Sequence, residues 1–189
     1  MRLSEPRIAP IDAGSADEDQ KALLDALASR GRPVLNVFKT FARFPDAARA
    51  FLEWGGYILS NRNRLSPRRR ELAILRTGFN CRSGYEWTQH VPIGRRAGLT
   101  VEEIEAIKRG GEAEIWDGLD RAILAACDEL HRDQFVRPDT WQALESLGDR
   151  GRMDLVMTVG QYTQVSMFLN SLGVQLDEGQ ELDPELDWR

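Results

Sequence analysis

Carboxylate and imidazole side chains that can exchange protons lie close together in the middle of the chain. Glu86 and His90 are four residues apart, so on a helix they share one face and the carboxylate can reach the imidazole. Such a carboxylate stabilises the imidazolium and orients the ring, which makes the histidine a better base near neutral pH. Glu71 belongs to the preceding predicted helix, and a tight connection at 80–84 would pack the two helices antiparallel and bring a second carboxylate to the same ring. From spacing alone, however, a solvated helix face is the commoner explanation of a Glu–His pair.

Histidine and cysteine are scarce, which limits the other kinds of site. The chain has two histidines, His90 and His131, and two cysteines, Cys81 and Cys127, with no Cys-x-x-Cys motif. A structural zinc site has almost no ligands to draw on, and we expect neither a metal nor a cofactor. Cys81 is a candidate reactive thiol, although a thiolate needs a lowered pKa and access. Cys127 is predicted to be a buried packing residue, and His131 to lie at a helix C-terminus as a structural cap.

Composition is typical of one soluble globular domain. The chain has 189 residues, of which 42% are hydrophobic and 29% charged. Its 25 basic and 30 acidic residues give a net charge of −5, which argues against a nucleic-acid binder that works by neutralising phosphates. The longest apolar run, residues 122–127, is far shorter than the roughly 20 residues of a membrane-spanning helix. The first 20 residues do not resemble a signal peptide, so we expect no membrane association and a cytoplasmic location.

Helical periodicity dominates the sequence, and no segment shows convincing strand-like alternation. The prediction is an all-α, single-domain helical bundle. The predicted helices span about 17–29, 34–44, 45–60, 66–79, 85–98, 100–109, 117–130, 138–147 and 152–172. The last of these has too many apolar positions for a single stripe, so it is either central in the bundle or shared with another subunit.

Charged segments lie on both sides of the Glu–His pair. A basic cluster at positions 62–70 has a solvated face as its commonest explanation, but it could also bind an anionic substrate or the acidic C-terminal tail. The tail begins at Asp177 and carries Trp188 near its end. We expect it to be extended or disordered unless that tryptophan docks.

Several short motifs together resemble the carboxymuconolactone decarboxylase family, whose relatives include the AhpD-like alkyl hydroperoxidases. The motifs are Glu71, the YEW sequence at 85–87, His90, the AGL sequence at 97–99 and the capped EEI that follows. The stretches DELHRDQ (128–134) and DLVMTVGQYTQVSMFLNSLGV (154–174) resemble that family's final helices. The resemblance divides the chain into an N-terminal segment with one helix (1–34), the family domain (35–175) and an acidic C-terminal tail (176–189).

The peroxidase branch of this family uses a glutamate, a Cys-x-x-Cys pair and a histidine as a relay that deprotonates a thiol. Counted back from His90, the two cysteine positions fall on Ser83 and Glu86, so both thiols are absent. Glu71 lies 19 residues before His90, where the relay glutamate belongs. In the decarboxylase branch, by contrast, a glutamate is expected at the position of Glu86.

The resemblance implies an all-α, AhpD-like enzyme of the decarboxylase type that uses acid–base chemistry on a small carboxylate or lactone. His90 would be the general acid or base, and Glu86 and Glu71 would hold its tautomer and raise its basicity. Tyr85 or Ser83 would donate a hydrogen bond to a developing enolate.

Two alternatives stay open at this point. One is a hydroperoxidase or peroxiredoxin-type activity through Cys81, with Cys127 or a small thiol resolving the oxidised sulfur. The other is a non-catalytic helical oligomer or binding protein that has kept the fold. The resemblance also implies a homo-oligomer, trimeric or hexameric, that associates through apolar helix faces.

Overall fold

The computed structural model describes residues 3–28 and 33–187. Across these two ranges the chain forms nine α-helices and no β-strand, which confirms the all-α prediction. The helices are α1 (Glu18–Leu27), α2 (Asn36–Phe41), α3 (Pro45–Ile58), α4 (Pro67–Asn80), α5 (Gly84–Arg96), α6 (Val101–Arg109), α7 (Gly118–Asp133), α8 (Pro138–Ala143) and α9 (Gly148–Leu172). No helix in the described part of the chain has the length and apolar character needed to cross a membrane.

The helices begin where local sequence signals place them. The Ser66 hydroxyl accepts a hydrogen bond from the backbone N–H three residues later, and Pro67 occupies the first turn, where its missing N–H leaves no bond unmade. Thr100 and Glu103 form a reciprocal capping box at the start of α6. The Asp117 carboxylate caps α7 in the same way as Ser66 caps α4. These caps depend only on neighbouring residues, which is why the sequence predicts them well.

Several helix ends differ from the prediction by three or four residues: α7 continues to Asp133, and α8 ends at Ala143. Helix α2 ends at Phe41 instead of Phe44, because the residue before Pro45 is disfavoured in the helical region and Phe44 has non-helical angles, with a φ of −130° and a ψ of 76°. Helix α9 starts at Gly148, four residues earlier than predicted. A 3₁₀ turn at Glu145–Leu147 leads directly into this helix, so the first helical turns include the glycines at 148 and 151.

Helix α4 is the central element of the bundle and packs against α5, α7 and α9. Leu72, Ile74 and Leu75 are fully buried although they point in different directions. Leu72 and Leu75 belong to the larger core with Trp87, whereas Ile74 belongs to a second core with Tyr162. Because both cores pack on α4, the side chains that α4 carries are held in fixed positions.

Helix α9 contributes to both cores, which explains its excess of apolar residues. Leu155 and Val159 lie in the larger core, and Val165 lies in the second one. Its outer face still exposes Met153 and Met167. Apolar side chains on that face are compatible with an oligomer interface, and the trimer or hexamer stays a prediction.

Helices α4 and α5 run antiparallel and very close to each other. The turn between them places Arg82 in the left-handed region, with a φ of 53°, and the N–H of Ser83 donates to the carbonyl of Gly78. A Cβ at Gly78 would lie only 3.1 Å from the Cγ of Glu86. The glycine therefore lets the Glu86 side chain lie against α4, on the same side as Glu71.

The C-terminal tail packs against the domain as far as residue 187, so it is not disordered; it has little regular secondary structure apart from a 3₁₀ turn at Pro184–Leu186. Leu186 is only 2% exposed and belongs to the larger core. Lys108 binds Asp183 and Glu185, each at 2.8 Å, so a lysine of α6 and not the basic cluster binds the acidic residues. Trp188 lies outside the described residues. Burial of leucine side chains and pairing of the acids hold the segment in place, and neither feature is visible in its charge-rich composition.

The basic cluster instead has structural partners. Arg68 and Arg69 both bind the buried carboxylate of Asp120, and Arg68 also binds Glu103. These ion pairs join the start of α4 to α6 and α7. Both guanidinium groups therefore form ion pairs within the protein, which argues against a role in binding an anionic substrate.

Asp177 is the residue that ties the tail to the elements around the functional site. Its carboxylate accepts hydrogen bonds from the backbone N–H of Asn36 (2.8 Å), the hydroxyl of Tyr85 (2.7 Å) and the amide of Gln89 (2.8 Å).

We expect Asp177→Ala to lower the free energy of unfolding by about 1–2 kcal/mol, since three donors lose a charged partner. Chemical denaturation measures this. The matched control is Glu178→Ala, which removes the same charge from an exposed neighbour and is expected to change stability by less than about 0.5 kcal/mol. Equal losses in both variants would contradict this role of Asp177.

Candidate active site

Glu71, His90 and Glu86 form a single buried cluster between α4 and α5. The Nδ1 of His90 hydrogen-bonds to Oε2 of Glu71 at 2.7 Å, and its Nε2 lies 3.1 Å from Oε1 of Glu86. The three residues are 1%, 8% and 3% exposed. The structure thus brings together all three residues that the sequence singled out for proton transfer.

The two carboxyl groups contact the imidazole in different ways. Glu71 makes a hydrogen bond with Nδ1, which fixes the orientation of the ring. Glu86 lies close to Nε2, but not in a hydrogen-bonding geometry, and its Oε1 is buried with no hydrogen-bond partner in the protein. Glu86 therefore contacts the imidazole electrostatically and has hydrogen-bonding capacity that the described residues do not use.

The pKa values of Glu86 and His90 are both raised in the folded protein. Desolvation raises the pKa of Glu86 to about 7, against the opposing attraction of His90, and the nearby Glu71 raises it further. For His90, burial alone would lower the pKa, but the attraction of Glu86 and the hydrogen bond with Glu71 outweigh burial and raise it. At neutral pH the cluster can therefore both release and accept a proton.

A cavity of about 360 Å³ ends at this cluster. Glu86 and His90 line it, together with the polar side chains of Gln89, Gln161 and Tyr162. The Tyr162 ring lies edge-on to the imidazole, with 5.1 Å between ring centres. Most other lining residues are apolar and come from α2, α3, α5 and α9; they include Val37, Phe38, Phe51, Leu52, Ile93 and Val165. Glu71 does not line the cavity, so it acts on a bound molecule only through His90.

Tyr85 and Ser83 are less well placed for the predicted role of donating to an enolate. Tyr85 lines the cavity, but its hydroxyl donates to Asp177 and accepts from the backbone N–H of Val37. Burial and the adjacent Asp177 also raise its pKa. Ser83 is fully buried at the start of α5, is not among the lining residues, and its hydroxyl has no hydrogen-bond partner. The structure therefore does not bring the two hydroxyls to the cluster.

Cys81 lies at the C-terminal end of α4, outside the set of residues that line the cavity. Its Sγ is 3.7 Å from Nδ1 of His131, so His131 contacts a thiol instead of capping its helix. Gln134 donates to the last carbonyls of α7 in its place. Burial raises the pKa of Cys81, and hydrogen bonds from neighbouring hydroxyls offset this only in part. Cys127 is fully buried as predicted, and burial raises its pKa to about 12, so it does not form a ready resolving thiol.

Sequence reasoning missed Gln161 and Gln89 as cavity residues and treated Tyr162 as an ordinary apolar position of the last helix. Gln161 is 1% exposed, and neither polar atom of its amide has a partner in the protein. A glutamine in the middle of an otherwise apolar helix is the signal that could have found it, because buried amides are normally hydrogen-bonded.

The described residues contain no group of three or more histidine, cysteine, aspartate or glutamate side chains arranged to hold a metal ion. In the cluster of Glu71, Glu86 and His90, the imidazole is hydrogen-bonded to Glu71 and lies at ion-pair distance from Glu86.

Comparison with a family model supports the resemblance found in the sequence. Residues 45–128 match the model of the carboxymuconolactone decarboxylase family, and this range includes α3, α4, α5 and the whole Glu–His–Glu cluster. Among curated protein sequences, none matches the chain significantly.

Solved structures with low sequence identity share the fold over most of the chain. A peroxidase-related protein with an alkylhydroperoxidase AhpD core, from Ralstonia eutropha JMP134, has a TM-score of 0.78 at 19% identity and covers 92% of this chain and 93% of its own. A peroxidase-related protein from Silicibacter sp. TM1040 has a TM-score of 0.77 at 16% identity, with coverage of 93% and 95%. The debrominase Bmp8, solved with 2,3,4-tribromopyrrole, has a TM-score of 0.74 at 12% identity, with coverage of 93% and 94%. These likenesses establish an AhpD-like helical fold.

Proposed function

We propose that this protein, whose residues 45–128 match the model of the carboxymuconolactone decarboxylase family, is an acid–base enzyme that transfers protons on a small carboxylate or lactone. The observation that carries this proposal is the buried Glu86 carboxyl, which lines the cavity beside His90 and whose Oε1 makes no hydrogen bond to any described residue. A pKa of about 7 lets this carboxyl act in either direction near neutral pH.

Each residue of the cluster has a distinct role. Glu86 exchanges the proton with the carbon of the bound molecule, and His90 exchanges it with Glu86 across the 3.1 Å between them. Glu71 is a positioning residue, because its hydrogen bond with Nδ1 holds the ring with Nε2 toward Glu86.

The same arrangement serves both substrate types. With a lactone, ionised Glu86 removes a proton from the carbon next to the carbonyl, which leaves an enolate, and returns that proton to a conjugated carbon. With a carboxylate next to an electron-accepting carbonyl, the carbon–carboxylate bond breaks, its electron pair forms the enolate, CO₂ leaves, and protonated Glu86 supplies the proton to carbon. In both cases the enolate must be quenched by an acid at the site.

The experiment is incubation in D₂O with a panel of five- and six-membered lactones, each tested with and without a carboxylate on the carbon next to the ring carbonyl. We expect protein-dependent deuterium incorporation next to the carbonyl, seen by proton NMR, or CO₂ release from a carboxylate. If no member of the panel gains deuterium or loses CO₂ above the protein-free rate, the proposed acid–base activity is wrong.

A second candidate function, thiol-dependent peroxide reduction, is favoured by the contact between Cys81 and His131. Because burial raises the pKa of this thiol, we expect little thiolate at neutral pH and no fast reaction. Titration of free thiols before and after one equivalent of hydrogen peroxide, in the native protein and in Cys81→Ser, measures this. Rapid thiol loss that disappears in Cys81→Ser would favour the peroxidase over the acid–base enzyme.

A further inference from the structure

Gln161 is a polar residue whose hydrogen-bonding capacity the protein itself does not use. It lies on α9, 1% exposed, among the residues that line the cavity with Glu86 and His90. Within the described part of the chain, neither its Nε2 nor its Oε1 has a hydrogen-bond partner. Burying an amide without partners costs free energy, so an amide held in this way is suited to a ligand that supplies them.

Helix α3 approaches the amide closely. Gly55 lines the cavity, and a Cβ at this position would lie 3.8 Å from Nε2 of Gln161, in ordinary van der Waals contact with it. The cavity, about 360 Å³, is near the small end of the usual range of ligand pockets, about 300–1,000 Å³. A small molecule can therefore contact Gln161 at one point and the Glu86–His90 pair at another.

The charges around the cavity disfavour an anionic ligand. Among the described residues that line the cavity there is no lysine or arginine, whereas Glu86 is one of them, and Glu71 is hydrogen-bonded to His90 from behind. Any positive charge on His90 is already paired with Glu71 at 2.7 Å. Arg70 lies close enough to influence His90, but its guanidinium donates to the carbonyl of Ser60 and does not line the cavity. A carboxylate would lose its hydration here without gaining a cation.

We propose that the cavity binds an uncharged, mostly apolar carbonyl compound, and that Gln161 holds it by donating from Nε2 to the carbonyl oxygen. This proposal rests on the proposed function and narrows its substrate class from a carboxylate or lactone to a lactone. Gln161 is then a binding residue that orients the carbonyl relative to Glu86. Its Oε1 accepts a hydrogen bond from any N–H or O–H next to that carbonyl, which favours hydroxylated lactones and lactams over plain esters.

The test measures binding separately from turnover. The probes are γ-lactones with alkyl chains of up to six carbons and their ring-opened 4-hydroxycarboxylates, which share a carbon skeleton and differ in charge. We expect at least one lactone to bind, by calorimetry or ligand-observed NMR, and its carboxylate to bind at least about tenfold more weakly. The proposal is overturned if no lactone binds or if the carboxylates bind as tightly.

Two variants test the role of the amide. Gln161→Met keeps the length of the side chain and removes its hydrogen bonds, so we expect about five- to tenfold weaker lactone binding together with a higher Tm of the free protein. The control is Gln164→Met, an exposed position of the same helix that does not line this cavity, where we expect lactone binding to be unchanged. Unchanged lactone affinity in Gln161→Met would overturn the proposal even if that variant is more stable.

The outcomes separate this proposal from the proposed function. Lactone binding that depends on Gln161 without deuterium incorporation would leave the binding site standing and reject the acid–base activity. Deuterium incorporation or CO₂ release that is insensitive to Gln161→Met would support the activity and reject the binding role.

Discussion

Glu86→Gln and His90→Asn are each expected to lower turnover by about two to four orders of magnitude while the protein stays folded, because a positioned acid or base contributes about 10²–10⁴-fold. Glutamine keeps the size of Glu86 but can neither give nor take the proton. Asparagine at position 90 is small enough for the cluster and removes the imidazole that exchanges protons with Glu86. The measurement is kcat and kcat/KM on the substrate that incorporates deuterium, with circular dichroism to check the helical content.

The controls distinguish chemistry from general disturbance. Glu53→Gln removes a carboxylate from an exposed position of α3 and is expected to leave turnover unchanged. Glu71→Gln keeps an acceptor for Nδ1 but removes the negative charge that helps to raise the pKa of His90, so we expect a smaller loss of kcat together with a pH profile displaced to lower pH. Turnover that persists in both Glu86→Gln and His90→Asn would place the chemistry elsewhere in the molecule.

The sequence predicts the cluster because the signals that build it are mostly local. Four-residue spacing fixes Glu86 and His90 on one face of α5, and the short turn after α4 forces the two helices to run antiparallel. The cap at Ser66 fixes the first residue of α4. The position of Glu71 relative to that start then determines the face of the helix on which its side chain lies. Each step depends on residues only a few positions apart.

The cavity and the tail depend instead on contacts between distant parts of the chain. Gln161 becomes a cavity residue only because α3, α5 and α9 enclose it, and its own helix gives no periodic signal since α9 is buried on two sides. The sequence predicts that Tyr85 can donate to a substrate, yet Asp177, 92 residues further along, accepts the hydrogen bond of its hydroxyl. The acidic composition of the tail predicts an unstructured segment, whereas in the structure Leu186 is buried in the core and Lys108 forms an ion pair with Asp183. Such pairings are determined by tertiary packing and not by local propensity.

Burial of Glu86 also predicts an unusual dependence of stability on pH. Its pKa is raised from an ordinary value near 4.5 to about 7 in the folded protein, so between these values the folded state holds a proton that the unfolded chain has lost. Stability therefore falls as pH rises from about 5 to 8. One pKa unit corresponds to about 1.4 kcal/mol, so Glu86 alone accounts for a fall of up to about 3 kcal/mol. His90 acts in the same direction, since its pKa is raised too and the stability that it adds below about pH 6.5 is lost as pH rises through its folded pKa.

Glu86→Gln should remove most of this fall, because the variant has no carboxyl to ionise and no longer raises the pKa of His90 through its charge. The measurement is the free energy of unfolding by urea at pH 5, 6, 7 and 8, at one protein concentration so that any association contributes equally. Relative to the native protein, Glu86→Gln is expected to gain stability steadily between pH 5 and 8, whereas Glu53→Gln is expected to follow the native curve. A difference between Glu86→Gln and the native protein that does not change with pH would mean that Glu86 titrates normally in the folded state. In that case it would be ionised throughout the neutral range: it could still remove a proton from a lactone, but it could not supply the proton that the enolate requires after loss of CO₂.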